Sequence, residues 1–136
     1  MIQKVLVGTD TTSAADLAVQ AAADMAKAHD AELLVLYVKP PRDARGVVDP
    51  DRSPNPDRYL DKVRTRFPDL RTRTRLEPGD PAVTLCDVAE EEGADVIVVG
   101  NRGTREKRRR YLRSVPNGVV QHAPCAVYIV DTRKAQ

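Results

Sequence analysis

Two glycine-containing turns hold the residues whose types and spacing suit anion chemistry. Gly100-Asn101-Arg102-Gly103 follows the apolar run Val96-Ile97-Val98-Val99, and Gly8-Thr9-Asp10 follows Val5-Leu6-Val7. Gly100 and Gly103 accept φ > 0 and let backbone N–H groups come close to an anion. Ser114 is expected to open a short final helix ending near His122-Ala123-Pro124, whose first N–H groups and dipole favour a phosphate. Its hydroxyl either caps that helix or donates to a phosphate oxygen. A Gly-x-x-Gly turn leading to a Ser-capped helix outlines a nucleotide-phosphate cradle. The plain alternative is an ordinary turn.

Between these points lies a strongly basic block. Residues 101–114 carry Arg102, Arg105, Lys107, Arg108, Arg109, Arg110 and Arg113, with Glu106 as the single acid. That is +6 locally and −4 elsewhere, in a chain whose formal charge is +2. Such a block repels itself unless it meets an anion. Three readings stand at this point: a solvated loop, an electrostatic lid over a polyphosphate, and contact with nucleic-acid phosphates. Base stacking is poorly served, because Tyr111 is the aromatic residue nearby and the whole chain has one Phe and four Tyr.

Other chemistries find no constellation. His29 and His122 are far apart and outside any metal-ligand spacing. Cys86 and Cys125, the two cysteines, are too few for a disulfide framework and have no His placed to activate a thiol; both read as buried packing residues. Neither paired catalytic carboxylates nor a Ser-His-Asp set emerges. Glu90-Glu91-Glu92 reads as an exposed helix end, although three acids there oppose the helix dipole and no partner for them is evident.

The elements that must position these turns follow from apolar patterning. Strands are expected at 2–7, 32–38, 71–76, 95–99 and 126–130. Four of the five runs are nearly continuous in apolar residues, as strands buried on both faces are. The third, Arg71-Thr-Arg-Thr-Arg-Leu76, alternates charge and reads as an edge strand. Ser13-Ala14-Ala15-Asp16 reads as a capping box opening the first helix, with Leu17, Ala21 and Met25 forming its apolar stripe. Asp80-Pro81 opens another helix, which runs through Leu85, Val88 and Ala89 to Gly93. Residues 39–56, with five prolines, read as a long surface loop.

The order β-α-β-(loop)-α-β-α-β-α-β predicts right-handed crossovers and one doubly wound parallel sheet with helices on both faces, an α/β fold. In such sheets ligands sit beyond the carboxyl ends of the strands, where the winding reverses. If the first and fourth strands are neighbours there, the two glycine turns face each other across one cleft. The length suits a single domain spanning 1–136, with 41% apolar and 31% charged residues excluding a disordered chain. Apolar runs are too short to span a bilayer, and Met1 to Gly8 leads directly into a strand without a secretory signal, so a cytoplasmic location is expected.

The same residues resemble the universal stress protein family along nearly the whole chain. The resemblance is carried by Val7-Gly8-Thr9-Asp10, Leu34-Val35-Leu36-Tyr37-Val38, Gly79-Asp80-Pro81-Ala82, Asp87-Val88-Ala89, Gly93 through Gly100, and His122-Ala123-Pro124-Cys125. It implies a five-stranded sheet in the order 3-2-1-4-5, a nucleotide-binding Rossmann-like architecture, and a homodimer formed through the last strand around Val127 to Val130.

It also implies binding of ATP or another adenine nucleotide, with or without Mg²⁺, in a stress-response sensor rather than a turnover enzyme. Thr9 and Asp10 would lie near the ribose or metal-phosphate region, Val38 would offer its backbone to adenine, and Gly100, Asn101, Arg102, Gly103, Ser114 and Val115 would hold phosphates. The family's ATP-binding members carry Gly-x-x-Gly, nine residues, then Gly-Ser or Gly-Thr; here Arg113 stands where the third glycine is expected. Arg113 either blocks the phosphate site, leaving a nucleotide-free dimeric interaction protein, or clamps a phosphate with its planar guanidinium. A left-handed backbone at that position would cost a non-glycine residue about 1–2 kcal/mol.

Overall fold

The computed structural model describes residues 1–39, 55–101 and 109–132, with the side chains of 109–114 outside the description. The elements run β1 (Lys4–Thr9), α1 (Ser13–His29), β2 (Glu32–Lys39), α2 (Pro56–Arg66), β3 (Thr72–Pro78), α3 (Pro81–Glu92), β4 (Val96–Gly100), α4 (Arg109–His122) and β5 (Ala126–Val130). All strand pairings are parallel, and the sheet order is β3-β2-β1-β4-β5, as the sequence pattern and the family resemblance implied.

The apolar strands divide their side chains between two cores because successive residues point to opposite faces. On one face Val5, Val7, Leu33, Val35, Val96 and Val98 pack beneath α1 and α2, which contribute Ala18, Val19, Ala22, Leu60 and Val63, with Phe67 just beyond α2. On the other, Leu6, Leu34, Leu36, Ile97 and Val99 meet Leu85, Val88 and Ala89 of α3 and Val119 of α4. The alanine-rich stripe lets α1 lie close to the sheet. Cys86 is buried in the second core as expected. Cys125, expected to be buried too, is only partly so at the lead-in to β5, and burial pushes both thiols above the usual range.

Helix ends follow local chemistry, with two corrections. Asp80 accepts from the Val83 N–H at 3.0 Å with Pro81 in the first turn, and Gly93 closes α3 at φ 69°, where a left-handed residue is needed. The N-cap of α1 is Thr12 rather than Ser13: its Oγ1 accepts from the Ala15 N–H at 3.2 Å. The expected capping box fails because Asp16 is turned toward α2 instead. The proline-rich segment is shorter at its ends than 39–56, because Lys39 closes β2, Asn55 caps α2 and Pro56 begins it. Residues 40–54 of that segment lie outside the described residues.

Two of the three acids at the end of α3, Glu91 and Glu92, find partners at the sheet edge. Glu92 receives both Arg73 nitrogens at 3.0 and 3.1 Å, Arg75 at 2.9 Å, and Lys4 at 3.4 Å, while Glu91 takes Arg75 at 2.7 Å. The alternating arginines of β3 therefore offset the unfavourable end of the helix dipole. The Arg73 guanidinium, then those of Arg75 and Lys4, hold the Glu92 carboxyl down to about 2 from an ordinary 4.5, against the opposing effect of burial. Between those values the unfolded chain binds more protons, so this stabilisation is complete above about pH 4.5 and disappears as pH falls toward 2. Glu92→Gln should remove about 1 kcal/mol at neutral pH, the network lying at the solvent rim. It should also flatten the acid limb of a stability–pH curve measured by urea denaturation; an unchanged limb would place the acid sensitivity elsewhere.

Candidate nucleotide site at the carboxyl end of the sheet

The chain winds from β1 outward to β2 and β3, then returns to β4 on the opposite side of β1. The winding thus reverses between β1 and β4, whose pairing runs Val5 with Val96, Leu6 with Ile97 and Val7 with Val98. Continuing that register past the paired residues brings Gly8-Thr9-Asp10 beside Gly100-Asn101. The β1 turn and the start of the β4 turn, Gly100-Asn101, therefore flank the position where an open parallel sheet leaves a crevice.

The β1 turn is held by its own side chains. The Asp10 Oδ1 accepts from the Thr12 N–H at 3.0 Å and from the Thr12 hydroxyl at 2.6 Å, while the Thr9 Oγ1 accepts from the Thr11 N–H at 3.0 Å. Asp10 thus closes a local turn that holds Thr12, the N-cap of α1, in place. Thr11 adopts φ 71°, a left-handed conformation that costs a β-branched residue about 1–2 kcal/mol and is found where surrounding contacts over-determine it. Thr9, Thr11 and Thr12 are all buried.

On the β4 side, Gly100 is needed for packing against the end of β5: a Cβ there would lie 2.8 Å from the Thr132 Cγ2. Asn101 is tied to the same residue. Its N–H donates to the Val130 carbonyl at 3.0 Å, and its Oδ1 accepts from the Thr132 N–H at 3.1 Å and hydroxyl at 3.4 Å. Asn101, expected to meet phosphate, therefore fastens β4 to β5 through its side-chain oxygen. Thr132, fully buried, is a site-supporting residue with no motif to reveal it. Val38 lies one position beyond the last β1–β2 pair, Thr9 with Tyr37, and pairs with Glu77 on the other side.

The phosphate end differs from expectation. Ser114 does not open the last helix; α4 begins five residues earlier, at Arg109, and runs through Arg113, Ser114 and Val115. Arg, Tyr and Leu before Ser114 are compatible with a helix, so nothing forces a start at the serine. The Ser114 amide consequently lies in the helix ladder rather than among the unpaired first-turn N–H groups. Arg113 has helical backbone, so the left-handed strain considered for it does not arise. Pro116 sits inside α4, where it removes one ladder donor. Arg102, Gly103, Arg105, Glu106, Lys107 and Arg108 lie outside the described residues, as do the side chains of Arg109, Arg110, Tyr111, Arg113 and Ser114.

The donor set therefore fits an adenine nucleotide in part. Hydroxyls and a carboxylate cluster at the β1 turn, beside Gly100 at the end of β4. The Ser114 amide expected on the phosphates is committed to the helix. Among the described residues there is no group of three or more His, Cys, Asp or Glu that could hold a metal ion, and no helix long and apolar enough to cross a membrane.

A model of the Universal stress protein family matches residues 1–131. The chain belongs to that family. A universal stress protein of Synechocystis sp. is 31% identical over 138 residues, covering 96% of this chain and 86% of that protein. Among solved structures, a universal stress protein in complex with cAMP superposes with a TM-score of 0.76 at 30% identity, covering 96% of this chain and 98% of the other. UspA from Lactobacillus plantarum gives a TM-score of 0.77 at 25% identity, covering 95% and 97%.

One polar cluster of this universal stress protein had no sequence signal. Tyr59 of α2 donates to the Asp16 Oδ1 at 2.8 Å, and Arg66 donates to the same oxygen at 2.6 Å and to the Gln20 Oε1 at 3.1 Å. Burial, then the Asp16 carboxylate, push the Tyr59 phenol well above its usual range. The 43 residues separating Tyr59 from Asp16 hide the pairing from any local pattern.

Proposed function

We propose that this universal stress protein binds an adenine nucleotide in the crevice between the β1 and β4 turns and acts as a regulatory sensor. The observation that carries the reading is the reversal of winding at β1 and β4, which puts the Thr9–Thr12 turn beside Gly100-Asn101. The likeness at 30% identity to a family member solved with cAMP supports an adenine nucleotide as the ligand class.

ATP is the proposed ligand, with or without Mg²⁺. Thr9 and Asp10 would meet the ribose, the Val38 backbone would meet adenine, and Gly100, Gly103, Ser114 and Val115 would approach the phosphates. The arginine block, Arg102 and Arg113 included, supplies the cationic field that draws a polyphosphate in. A sensor suits the turn chemistry better than a turnover enzyme, since the acid beside the crevice is engaged in holding the turn.

The β5 edge is the proposed dimer surface, where Tyr128 and Ile129 remain 45% and 41% exposed. An apolar unpaired edge is what a second copy would cover.

Titration with ATP, ATP plus Mg²⁺, AMP and cAMP should raise the melting temperature by several degrees, climbing with the logarithm of ligand concentration. An intact fold with no shift at millimolar concentration of any of the four would overturn nucleotide binding. Gain of a shift in Arg113→Gly would then assign the block to that side chain and favour a nucleotide-free interaction protein.

A further inference from the structure

The carboxyl end of β4 is finished by a side chain rather than by backbone. Gly100 and Val130 are the last paired residues of β4 and β5, and one position on, the Asn101 N–H still donates to the Val130 carbonyl at 3.0 Å. In a continued parallel ladder the Asn101 carbonyl would then accept from the Thr132 N–H. The Asn101 carboxamide takes that place: its Oδ1 accepts the Thr132 N–H at 3.1 Å and lies 3.4 Å from the Thr132 hydroxyl. The main chain can therefore leave the sheet at Asn101 while β5 stays tied down through Thr132. Gly100 allows the closure, since a Cβ there would stand 2.8 Å from the Thr132 Cγ2.

Donor and acceptor chemistry fixes which way the carboxamide faces. A backbone N–H only donates, so the atom it meets is the amide oxygen and not the nitrogen. The group is planar, which leaves Nδ2 and its two hydrogens on the other arm, turned from Thr132 and β5. β4 lies between β5 and β1, and the crevice opens on the β1 side. Among the described residues the Asn101 side chain makes its hydrogen bonds through oxygen and none through nitrogen. Asn101 is partly exposed, whereas Thr132, which holds it, is fully buried. Two donors without an acceptor complement phosphate oxygens, which only accept, and the basic run beginning at Arg102 follows directly in sequence.

We propose that Thr132 is a positioning residue that turns the Asn101 carboxamide so that its NH2 group donates to a phosphate of the bound nucleotide. This rests on the nucleotide-binding reading above and adds to it a side-chain anion donor set from the end of β5. The contact that commits the oxygen to β5 aims the nitrogen at the ligand.

Asn101→Asp is the isosteric test. The carboxylate keeps an oxygen for the Thr132 N–H and replaces both donors with an acceptor that repels phosphate. ATP affinity in calorimetric titration should fall about 10- to 100-fold, as loss of a hydrogen bond to a charged group does. Adenosine, which has no phosphate, should bind within twofold of wild type. Thr132→Pro deletes the amide that holds the carboxamide and should cost ATP about 3- to 10-fold, with adenosine again spared. Val88→Ala, a buried core substitution on α3, should lower the melting temperature and leave the ratio of ATP to adenosine affinity unchanged. Unchanged ATP affinity in Asn101→Asp, or an equal loss for adenosine, would overturn the proposal.

A second readout needs no ligand. Exchange of the Thr132 amide with deuterium in the free protein should stay slow in Asn101→Asp and accelerate in Asn101→Ala; wild-type exchange in Asn101→Ala would overturn the positioning role. Should the wild type bind neither ATP nor adenosine, the nucleotide reading fails by itself and tripolyphosphate becomes the probe. Thermal stabilisation of the wild type by tripolyphosphate that disappears in Asn101→Asp upholds the anion donor, and no stabilisation of the wild type overturns it.

Discussion

Ile97→Ala should lower the free energy of unfolding by about 2–5 kcal/mol, the range for truncating a fully buried aliphatic side chain without local collapse. Ile97 has no exposed surface and is the second residue of β4, registered against Leu6 of β1 and Val127 of β5. Its face of the sheet is roofed by α3 and α4, so the vacated volume would be bounded by Leu6, Leu34, Leu85 and Val119. A domain of this size has only about 5–15 kcal/mol to lose. Ile97→Val should cost about 0.5–1.5 kcal/mol, making a graded pair. Denaturant titration with an unchanged slope would report the loss; a cost below 1 kcal/mol for the alanine variant would mean that the two roofing helices close over the gap. Because β4 ends at Gly100 and leads into Asn101, affinity for the proposed nucleotide should fall with the same substitution.

Asp10→Ala should weaken nucleotide binding about 10- to 100-fold, corresponding to loss of one or two charge-assisted hydrogen bonds. The substitution removes the acceptor for both the Thr12 N–H and the Thr12 hydroxyl. Thr12 is the N-cap of α1, so a stability loss of about 1 kcal/mol should accompany it. Asp10→Asn separates the two effects, since its amide oxygen can still accept from Thr12 while the charge is gone. Calorimetric titration should find stability largely restored in Asp10→Asn but affinity still low if the carboxylate meets ribose or a metal–phosphate group. Full affinity in Asp10→Ala would restrict Asp10 to capping.

The order of elements and the sheet were legible because four strands announce themselves by unbroken apolar runs, and Asp80-Pro81 and Gly93 bracket α3 with residues of distinct backbone preference. The edge position of β3 was legible from its alternating arginines, but their partners were not. Glu91 and Glu92 come within reach only after α3 crosses back over the sheet, a distance no spacing rule encodes. The start of α1 was misplaced by one residue because Thr12 and Ser13 are both competent caps, and the deciding contact, Asp10 to Thr12, lies upstream. At α4 the serine was not a sufficient start signal, because the residues before it are equally compatible with helix. The site was legible in its glycines and Asp10, whereas Tyr59, Asp16 and Thr132 act through long-range hydrogen bonds between residues common on any surface.

The charge lattice binding Arg73 and Arg75 to Glu91 and Glu92 gives the sheet two unlike margins. At β3 an incoming strand would have to displace ion pairs and desolvate guanidinium groups, a penalty natural sheets use against unwanted strand addition. At β5 the margin carries Tyr128 and Ile129 and no charged side chain from Ala126 to Val130. Copies meeting through β5 therefore leave only repellent margins facing outward. In the proposed β5 dimer growth would then stop at a closed pair, and the same arginines that steady a helix end would disfavour a fibre.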